Sequence, residues 1–200
     1  MIKDLHTLPA NLPIPQDDGA CDHLLGRMLP AVSLISTAGE AVLISAYADT
    51  LVIYFYPMLG RPESPPLLGW NDIPGARGCT PQTCAFRDSY TELKRLGVEV
   101  LGVSAQRLED QQEAHARLQL PFALLNDGQL ILAQALRLPT FEYAGLRLIK
   151  RLTIIATGGV IRKVFYPVFP PDKNASEVIA WLGHEQPDKM NTPTHSTFNG

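Results

Sequence analysis

Two cysteines five positions apart, Cys79 and Cys84, are the residues of this chain whose type and spacing most directly indicate chemistry. They follow the apolar run 51–56, which is typical of a strand buried on both faces, and Cys79 starts a predicted helix. The unpaired N–H groups and the macrodipole at a helix start stabilise an anionic sulfur, and the thiolate is the reactive form of cysteine. Cys79 is therefore a candidate nucleophile, and Cys84 could capture the product of its oxidation.

The residues around both cysteines resemble a known family. The pattern Phe-Tyr-Pro, a connection, Gly-Cys-Thr, a second Cys and then Arg-Asp is similar to the Q-type peroxiredoxins, also called bacterioferritin comigratory proteins. The similarity continues through 96–104, 122–127 and 150–155 and covers about residues 29–183. This resemblance implies an α/β, thioredoxin-like fold in which helices flank a mixed central β-sheet.

The same resemblance implies a role for each reactive residue. Cys79 matches the cysteine that attacks the peroxide, and Cys84 matches the one that commonly resolves the product as an intramolecular disulfide. Arg151 matches the family arginine that enters the site from a strand, where its guanidinium stabilises the thiolate and can hydrogen-bond the peroxide. Alternatively, Arg151 only occupies a strand end. The implied partners are hydrogen peroxide or an alkyl hydroperoxide and a thioredoxin-like reductant.

The family pattern Pro-x-x-x-Thr-x-x-Cys is not preserved here. Ala76 stands where the family has the threonine that helps to hold the peroxide, and 22 positions separate Pro57 from Cys79 because of an insertion, 58–75. The insertion is either a lid beside a reactive site or a surface excursion. Pro57 and Arg77 are candidate substrate-binding residues; Arg77 either adds a second positive charge near the sulfur or points to solvent.

The spacing of the two cysteines has a geometric consequence. In a regular helix, Cα atoms five residues apart are separated by roughly 8 to 9 Å, whereas a disulfide needs less than about 7 Å. A bond between Cys79 and Cys84 therefore requires the first helical turn to unwind, which Pro81 favours because it cannot donate to the helix ladder. The alternative is that Cys84 is a small buried hydrophobic residue. Cys21 matches no position of the family and is expected to take no part.

Composition restricts the remaining possibilities. Two hundred residues, 46% of them hydrophobic, suit one domain, and the net charge of −3 argues against a nucleic-acid partner. The start of the chain does not resemble a signal peptide, and no apolar run approaches the roughly 20 residues of a membrane span. Three cysteines, an odd number, suit a reducing compartment better than a disulfide scaffold. We expect a cytoplasmic monomer or homodimer with no membrane partner.

Metal and nucleotide chemistry are not indicated. Structural zinc uses four ligands at short Cys and His spacings, whereas the five histidines of this chain are scattered. No glycine-rich phosphate loop is present in the sequence. We therefore expect neither a metal nor a cofactor.

Periodicity predicts one domain, 29–184, preceded by an N-terminal arm, 1–28, and followed by a disordered tail, 185–200. A long helix, 80–96, should begin directly after Cys79 and carry Cys84, with Gly97 ending it. The other predicted elements are a hairpin formed by 29–35 and 41–44, strands 51–56, 98–104 and 122–125, helices 108–118, 130–136 and 175–182, and a hairpin formed by 152–156 and 160–166.

Two other functions remain open. A thiol-disulfide oxidoreductase would use two nearby cysteines, but its usual Cys-x-x-Cys motif is absent. A redox sensor or partner-binding protein on the same scaffold would be compatible with Ala76 and with the insertion.

Overall fold

The computed structural model describes residues 5–64 and 68–185. Within these ranges, helices lie on both faces of a mixed β-sheet. The strands are β1 (Ser33–Ser36), β2 (Ala41–Leu43), β3 (Thr50–Phe55), β4 (Val98–Ser104), β5 (Leu124–Asn126), β6 (Thr140–Tyr143), β7 (Leu146–Ile149), β8 (Leu152–Thr157) and β9 (Val160–Phe165). The α-helices are α1 (Cys79–Asp88), α2 (Tyr90–Arg95), α3 (Leu108–Leu118), α4 (Ile131–Leu136) and α5 (Asn174–Glu185).

Seven of the described strands form the central sheet, in the order β2-β1-β5-β4-β3-β8-β9. Strand β3 pairs in parallel with β4 and antiparallel with β8, so the two strands beside it run in opposite directions. Two connections therefore meet at the carboxyl end of β3: the chain leaving β3 toward α1, and the chain entering β8 through Arg151. This topology brings Cys79 and Arg151 together although 72 positions separate them.

Every residue of β3 is buried, because alternate side chains of the strand enter two different cores. Ile53 and Phe55 join a core that includes α4, whereas Val52 and Tyr54 join a second core on the other face. The second core also receives apolar residues from α1, α2, α3 and α5. The helix that carries both cysteines is thus packed directly on the sheet.

Most of the predicted elements are confirmed. Strand β4 and helix α3 match the predicted ranges, and the two predicted hairpins are formed by β1–β2 and β8–β9. The predicted single helix 80–96 is wrong in one respect: Ser89, at φ −90° and ψ −2°, separates α1 from α2. The spacing of apolar residues continues unchanged across Ser89, so the sequence does not indicate this break. The two helices also stay linked, because Leu93 N–H donates a hydrogen bond to the Ser89 carbonyl.

Sequence periodicity did not indicate the hairpin formed by β6 and β7. Strand β6 carries half-buried and exposed residues, and β7 has two exposed residues followed by two buried ones, so neither strand alternates clearly. Ala144 and Gly145 at its turn both have positive φ, which is the geometry of the tight turns that hairpins favour. The Ala144-Gly145 pair between two short apolar segments was therefore the sequence feature that could have indicated a hairpin turn.

The N-terminal arm contributes to the core. Leu24 is fully buried and Cys21 is 4% exposed. Backbone hydrogen bonds join Gly26 and Arg27 to Ile161, and Leu29 to Gly159, along the edge strand β9. The proposed domain limits at 28 and 184 stay predictions, and the predicted tail lies outside the described residues beyond Glu185. No helix in the described ranges is long and apolar enough to cross a bilayer.

We expect Gly102→Ala to destabilise the protein. A Cβ atom at Gly102, in β4, would lie 2.6 Å from Leu124 Cδ2 and 2.6 Å from the Tyr54 hydroxyl oxygen. Because close-packed cores yield little, the free energy of unfolding should fall by about 1–3 kcal/mol. A lower urea midpoint at unchanged slope measures this. An unchanged midpoint would mean that the Tyr54 ring moves aside without cost.

Candidate active site

Cys79 is the first residue of α1 and is 3% exposed. The residue before it, Gly78, has φ of 106°, a conformation that L side chains rarely adopt. A Cβ atom on Gly78 would lie 2.3 Å from Pro171 Cγ and 2.9 Å from Leu8 Cδ2. Glycine is therefore required both for the turn into α1 and for the close approach of two other segments.

Arg151 lies directly before β8 and is 3% exposed. Its Nη2 donates to Cys79 Sγ at 3.2 Å, and the same nitrogen lies 3.1 Å from the Ala76 carbonyl oxygen. Its Nε donates to the Gly75 carbonyl at 3.2 Å, and Nη1 donates to Gln82 Oε1. The backbone before Cys79 and the first turn of α1 thus hold the guanidinium in one orientation against the sulfur.

The charge of Arg151 has no carboxylate partner in the part of the chain that the structure describes. Among residues 5–64 and 68–185, no ion pair within 4.0 Å includes Arg151. A buried cation is costly to leave uncompensated, and carbonyl oxygens supply only partial charge. An anionic sulfur at Cys79 would supply the missing counter-charge.

A network of buried polar side chains holds Arg151 in position. Gln82, which is fully buried, donates through Nε2 to Asn174 Oδ1 at 3.0 Å. Thr153, on β8, donates to the same oxygen at 2.6 Å. The network links α1, β8 and the start of α5 to Arg151. Sequence reasoning missed Gln82, Thr153 and Asn174; the only available signal was polar residues at positions where the pattern is otherwise buried.

The position of the family threonine is occupied by Ala76, which is fully buried. Its side chain offers no hydroxyl, but its carbonyl oxygen accepts from Arg151 and lies 3.6 Å from Cys79 Sγ. Among the residues that line the pocket at Cys79, Thr80 and Ser64 carry hydroxyl groups. The segment before the cysteine therefore contributes backbone rather than side-chain polarity.

A pocket of about 180 Å³ opens beside Cys79. The insertion supplies much of its wall, including Met58, Leu59 and Trp70. Gln106 fixes the start of the insertion: Leu59 N–H donates to Gln106 Oε1 at 2.8 Å, and Gln106 Nε2 donates to the Leu59 carbonyl at 2.9 Å. The described part of the insertion is therefore a wall of the site; residues 65–67 lie outside the description.

The hairpin β6–β7 supports that wall. Trp70 packs edge-on against Tyr143, with ring centroids 5.0 Å apart, and its centroid lies 6.2 Å from that of Phe141. The element that sequence periodicity did not indicate is thus the one that buttresses the pocket.

The two candidate substrate-binding residues differ in position. Pro57 is buried at the end of β3, where its carbonyl accepts from Ser104 Oγ at 2.9 Å. It therefore fixes the chain at the start of the insertion. Arg77 lines the pocket with Cys79, and its Nη2 donates to the Thr7 carbonyl at 3.3 Å. Arg77 thus links the N-terminal arm to the pocket.

Cys84 lies within α1 and is 8% exposed, and burial raises the pKa of its thiol. Cys79 and Cys84 are both free thiols within one α-helix. Cys21 is also free, and it lies in the core, where burial raises its pKa to about 12. This position is consistent with the expectation that Cys21 takes no part.

Comparison with known proteins agrees with this geometry. The Redoxin family model matches residues 24–179. Chloroplastic peroxiredoxin Q of Sedum lineare is 30% identical over 158 residues, which are 78% of this chain and 76% of that protein. Chloroplastic peroxiredoxin Q of Suaeda salsa is also 30% identical, over 78% of this chain and 66% of that protein.

Solved structures show the same fold. Peroxidoxin BcpB from Mycobacterium tuberculosis superposes with a TM-score of 0.66 at 22% identity, over 80% of this chain and 96% of that one. The bacterioferritin comigratory protein of Xanthomonas campestris, described for its alkyl peroxide reduction activity, superposes with a TM-score of 0.63 at 21% identity, over 88% and 99% of the two chains. The thioredoxin-like fold is confirmed.

The family match and the peroxiredoxin relatives place this thioredoxin-like protein in the class of thiol peroxidases. The chain belongs to the Redoxin family and, within it, to the peroxiredoxins of the Q type.

We expect Arg151→Met to slow the attack of Cys79 on peroxide by more than about tenfold, a loss above about 1.4 kcal/mol in the barrier. Methionine fills similar space but removes the positive charge and the hydrogen bond to the sulfur. Stopped-flow measurement of the first oxidation step tests this, with Arg162→Met, an exposed arginine on β9, as the control. The pH dependence of Cys79 alkylation should also change; an unchanged profile would contradict the assignment.

Proposed function

We propose that Cys79 is the peroxidatic nucleophile of this peroxiredoxin and that Arg151 activates it. The observation that carries the proposal is the 3.2 Å hydrogen bond from Arg151 Nη2 to Cys79 Sγ at the start of α1. A thiolate there is stabilised by the helix terminus and by a guanidinium without a carboxylate partner in the described ranges. Removal of the positive charge would leave the helix terminus as the main support of the anion.

The first step transfers one oxygen atom to sulfur. The Cys79 thiolate attacks one peroxide oxygen, an S–O bond forms, and the O–O bond breaks as the other oxygen leaves with the electron pair. The leaving oxygen takes up a proton to become water or an alcohol, and Cys79 becomes a sulfenic acid. Donation from the guanidinium of Arg151 to the peroxide oxygens is part of this proposal, since the resemblance to the Q-type peroxiredoxins implies it.

The pocket favours an organic hydroperoxide as one of the substrates. Leu5, Met58, Leu59 and Trp70 give its wall an apolar surface next to Cys79, and about 180 Å³ exceeds what hydrogen peroxide needs. Both hydrogen peroxide and small alkyl hydroperoxides therefore remain in the proposed substrate class. With Ala76 in place of threonine, Arg151 and Thr80 are the polar side chains proposed to orient the peroxide.

Resolution is proposed to follow within the same chain. Cys84 attacks the Cys79 sulfenic acid, an intramolecular disulfide forms, and a thioredoxin-like protein restores both thiols. All groups invoked here belong to one chain, which is compatible with a monomer or a homodimer. The odd number of cysteines and the net charge of −3 support a reducing, cytoplasmic setting with no nucleic-acid or membrane partner.

A redox sensor on the same scaffold is the second candidate, and Ala76 is the observation that favours it. Without the threonine hydroxyl, one support for peroxide binding is absent, which a protein that is oxidised once tolerates better than an enzyme that cycles. Steady-state turnover with peroxide and a thioredoxin system separates the two: an enzyme cycles many times, whereas a sensor stops after one oxidation.

We expect Cys79→Ser to abolish peroxide reduction and Cys84→Ser to allow a single turnover that stops at the sulfenic acid. The reason is that only Cys79 faces Arg151 and the helix terminus. Sulfenic-acid trapping followed by peptide mass spectrometry measures both, with Cys21→Ala as the control that should keep turnover. Trapping at Cys84 in the Cys79→Ser variant would reverse the assignment.

Oxidation should unwind the first turn of α1. Because Cys79 and Cys84 lie in one regular helix, a disulfide between them cannot form without local rearrangement. Amide hydrogen exchange at residues 83–86 should be faster in the oxidised protein than in the reduced protein. Equal protection in both states, with the disulfide verified by mass spectrometry, would show that the reduced protein is already open there.

A further inference from the structure

We propose that His6 is a catalytic residue of the resolving step, accepting the proton of Cys84 and returning it to the oxygen that leaves Cys79. This rests on the proposed function, since it assigns the proton transfer that an intramolecular disulfide needs. The contact that carries it joins His6 Nδ1 to Cys84 Sγ at 3.7 Å, within hydrogen-bond range for sulfur.

Cys84 needs such a partner more than an exposed cysteine would. Its side chain is buried, burial raises the pKa of its thiol, and only the thiolate attacks. Three other charged groups act on Cys84: Arg87 and Arg117 lower its pKa, and Asp88 raises it. Both arginines make ion pairs with carboxylates, Arg87 with Asp88 and Arg117 with Glu113, and neither accepts a proton.

The N-terminal arm holds His6 in place through its neighbours. Leu5 is buried, lines the pocket at Cys79 and packs closely on Gly60. The Thr7 carbonyl accepts from Arg77, and Leu8 packs against Gly78. Four consecutive residues therefore contact the pocket, α1 or the turn that begins α1. The position of His6 over Cys84 is thus a built part of the site.

The proposed step balances as follows. In the tautomer with the proton on Nε2, His6 Nδ1 accepts the Cys84 proton. The Cys84 thiolate attacks the Cys79 sulfur, the S–S bond forms, and the S–O bond breaks with its electron pair on oxygen. The imidazolium then protonates the leaving hydroxide, which departs as water. The imidazole is regenerated, and because His6 is exposed it also exchanges protons with solvent.

The first test uses His6→Asn, which keeps a polar side chain beside Cys84 but cannot accept a proton. Rapid mixing with hydrogen peroxide, acid quench and mass spectrometry follow sulfenic acid and disulfide separately. Since positioned acid–base groups contribute about 10² to 10⁴-fold, the sulfenic acid should convert to disulfide at least about tenfold more slowly, with its formation rate unchanged. His184→Asn, an exposed histidine in the last turn of α5, is the matched control.

Two outcomes of this test would overturn the proposal. One is a His6→Asn variant that forms the disulfide at the parent rate. The other is an equal slowing of both steps, which would make the arm a structural support rather than a proton acceptor.

The second test needs no peroxide and separates this inference from the proposed function. In a Cys79→Ser background, adding His6→Asn should slow alkylation of Cys84 by iodoacetamide several-fold at neutral pH, whereas adding His184→Asn should not. If the parent protein forms no Cys79–Cys84 disulfide, the proposed resolving reaction fails, yet the alkylation rates still decide whether His6 draws the proton from Cys84. Equal alkylation rates with and without His6 would overturn the proposal.

Discussion

The buried charge of Arg151 is the constraint on which the rest of the site depends. A guanidinium that is 3% exposed must find compensation from nearby groups. Backbone carbonyls at Gly75, Ala76 and Arg77 supply part of it, which requires the chain before α1 to turn its carbonyls inward. The left-handed conformation of Gly78 then directs the chain into the helix. The remaining charge lies beside Cys79, where an anionic sulfur would compensate it.

The supporting network explains why a helix, a strand and a second helix must meet at this point. Gln82 accepts a hydrogen bond from Arg151 and donates one to Asn174, so the guanidinium is held in a fixed position relative to α5. Thr153 adds a hydroxyl from the only buried polar side chain of β8. Because these side chains bond to one another in a low-dielectric interior, the loss of one leaves its partners without a hydrogen bond. The same hydrogen bonds therefore fix the position of Arg151 and pair several of the polar atoms that are buried around it.

Much of this fold could be predicted from the sequence because its strongest signals are local. The run 51–56, most of it in β3, is apolar and aromatic since both faces of the strand are covered, and Gly158-Gly159 marks the β8–β9 turn. The pair Cys79 and Arg151 could be found only through family resemblance, because nothing local links residues 72 positions apart. The Gln82–Asn174 and His6–Cys84 contacts could not be predicted, because they depend on how distant segments pack. The break between α1 and α2 at Ser89 could not be predicted either, because the spacing of apolar residues continues across it.

The wall of the pocket also contains a chromophore. Trp70 is one of two tryptophans in the chain; it lies 7% exposed between the β6–β7 hairpin and the cavity beside Cys79. The other, Trp181, packs against the core on α5. Any event that rearranges the insertion, whether entry of a hydroperoxide or oxidation of the sulfur, changes the surroundings of an indole that is already in place. The fluorescence of Trp70, which belongs to the insertion 58–75, is therefore a built-in probe of the cavity beside Cys79.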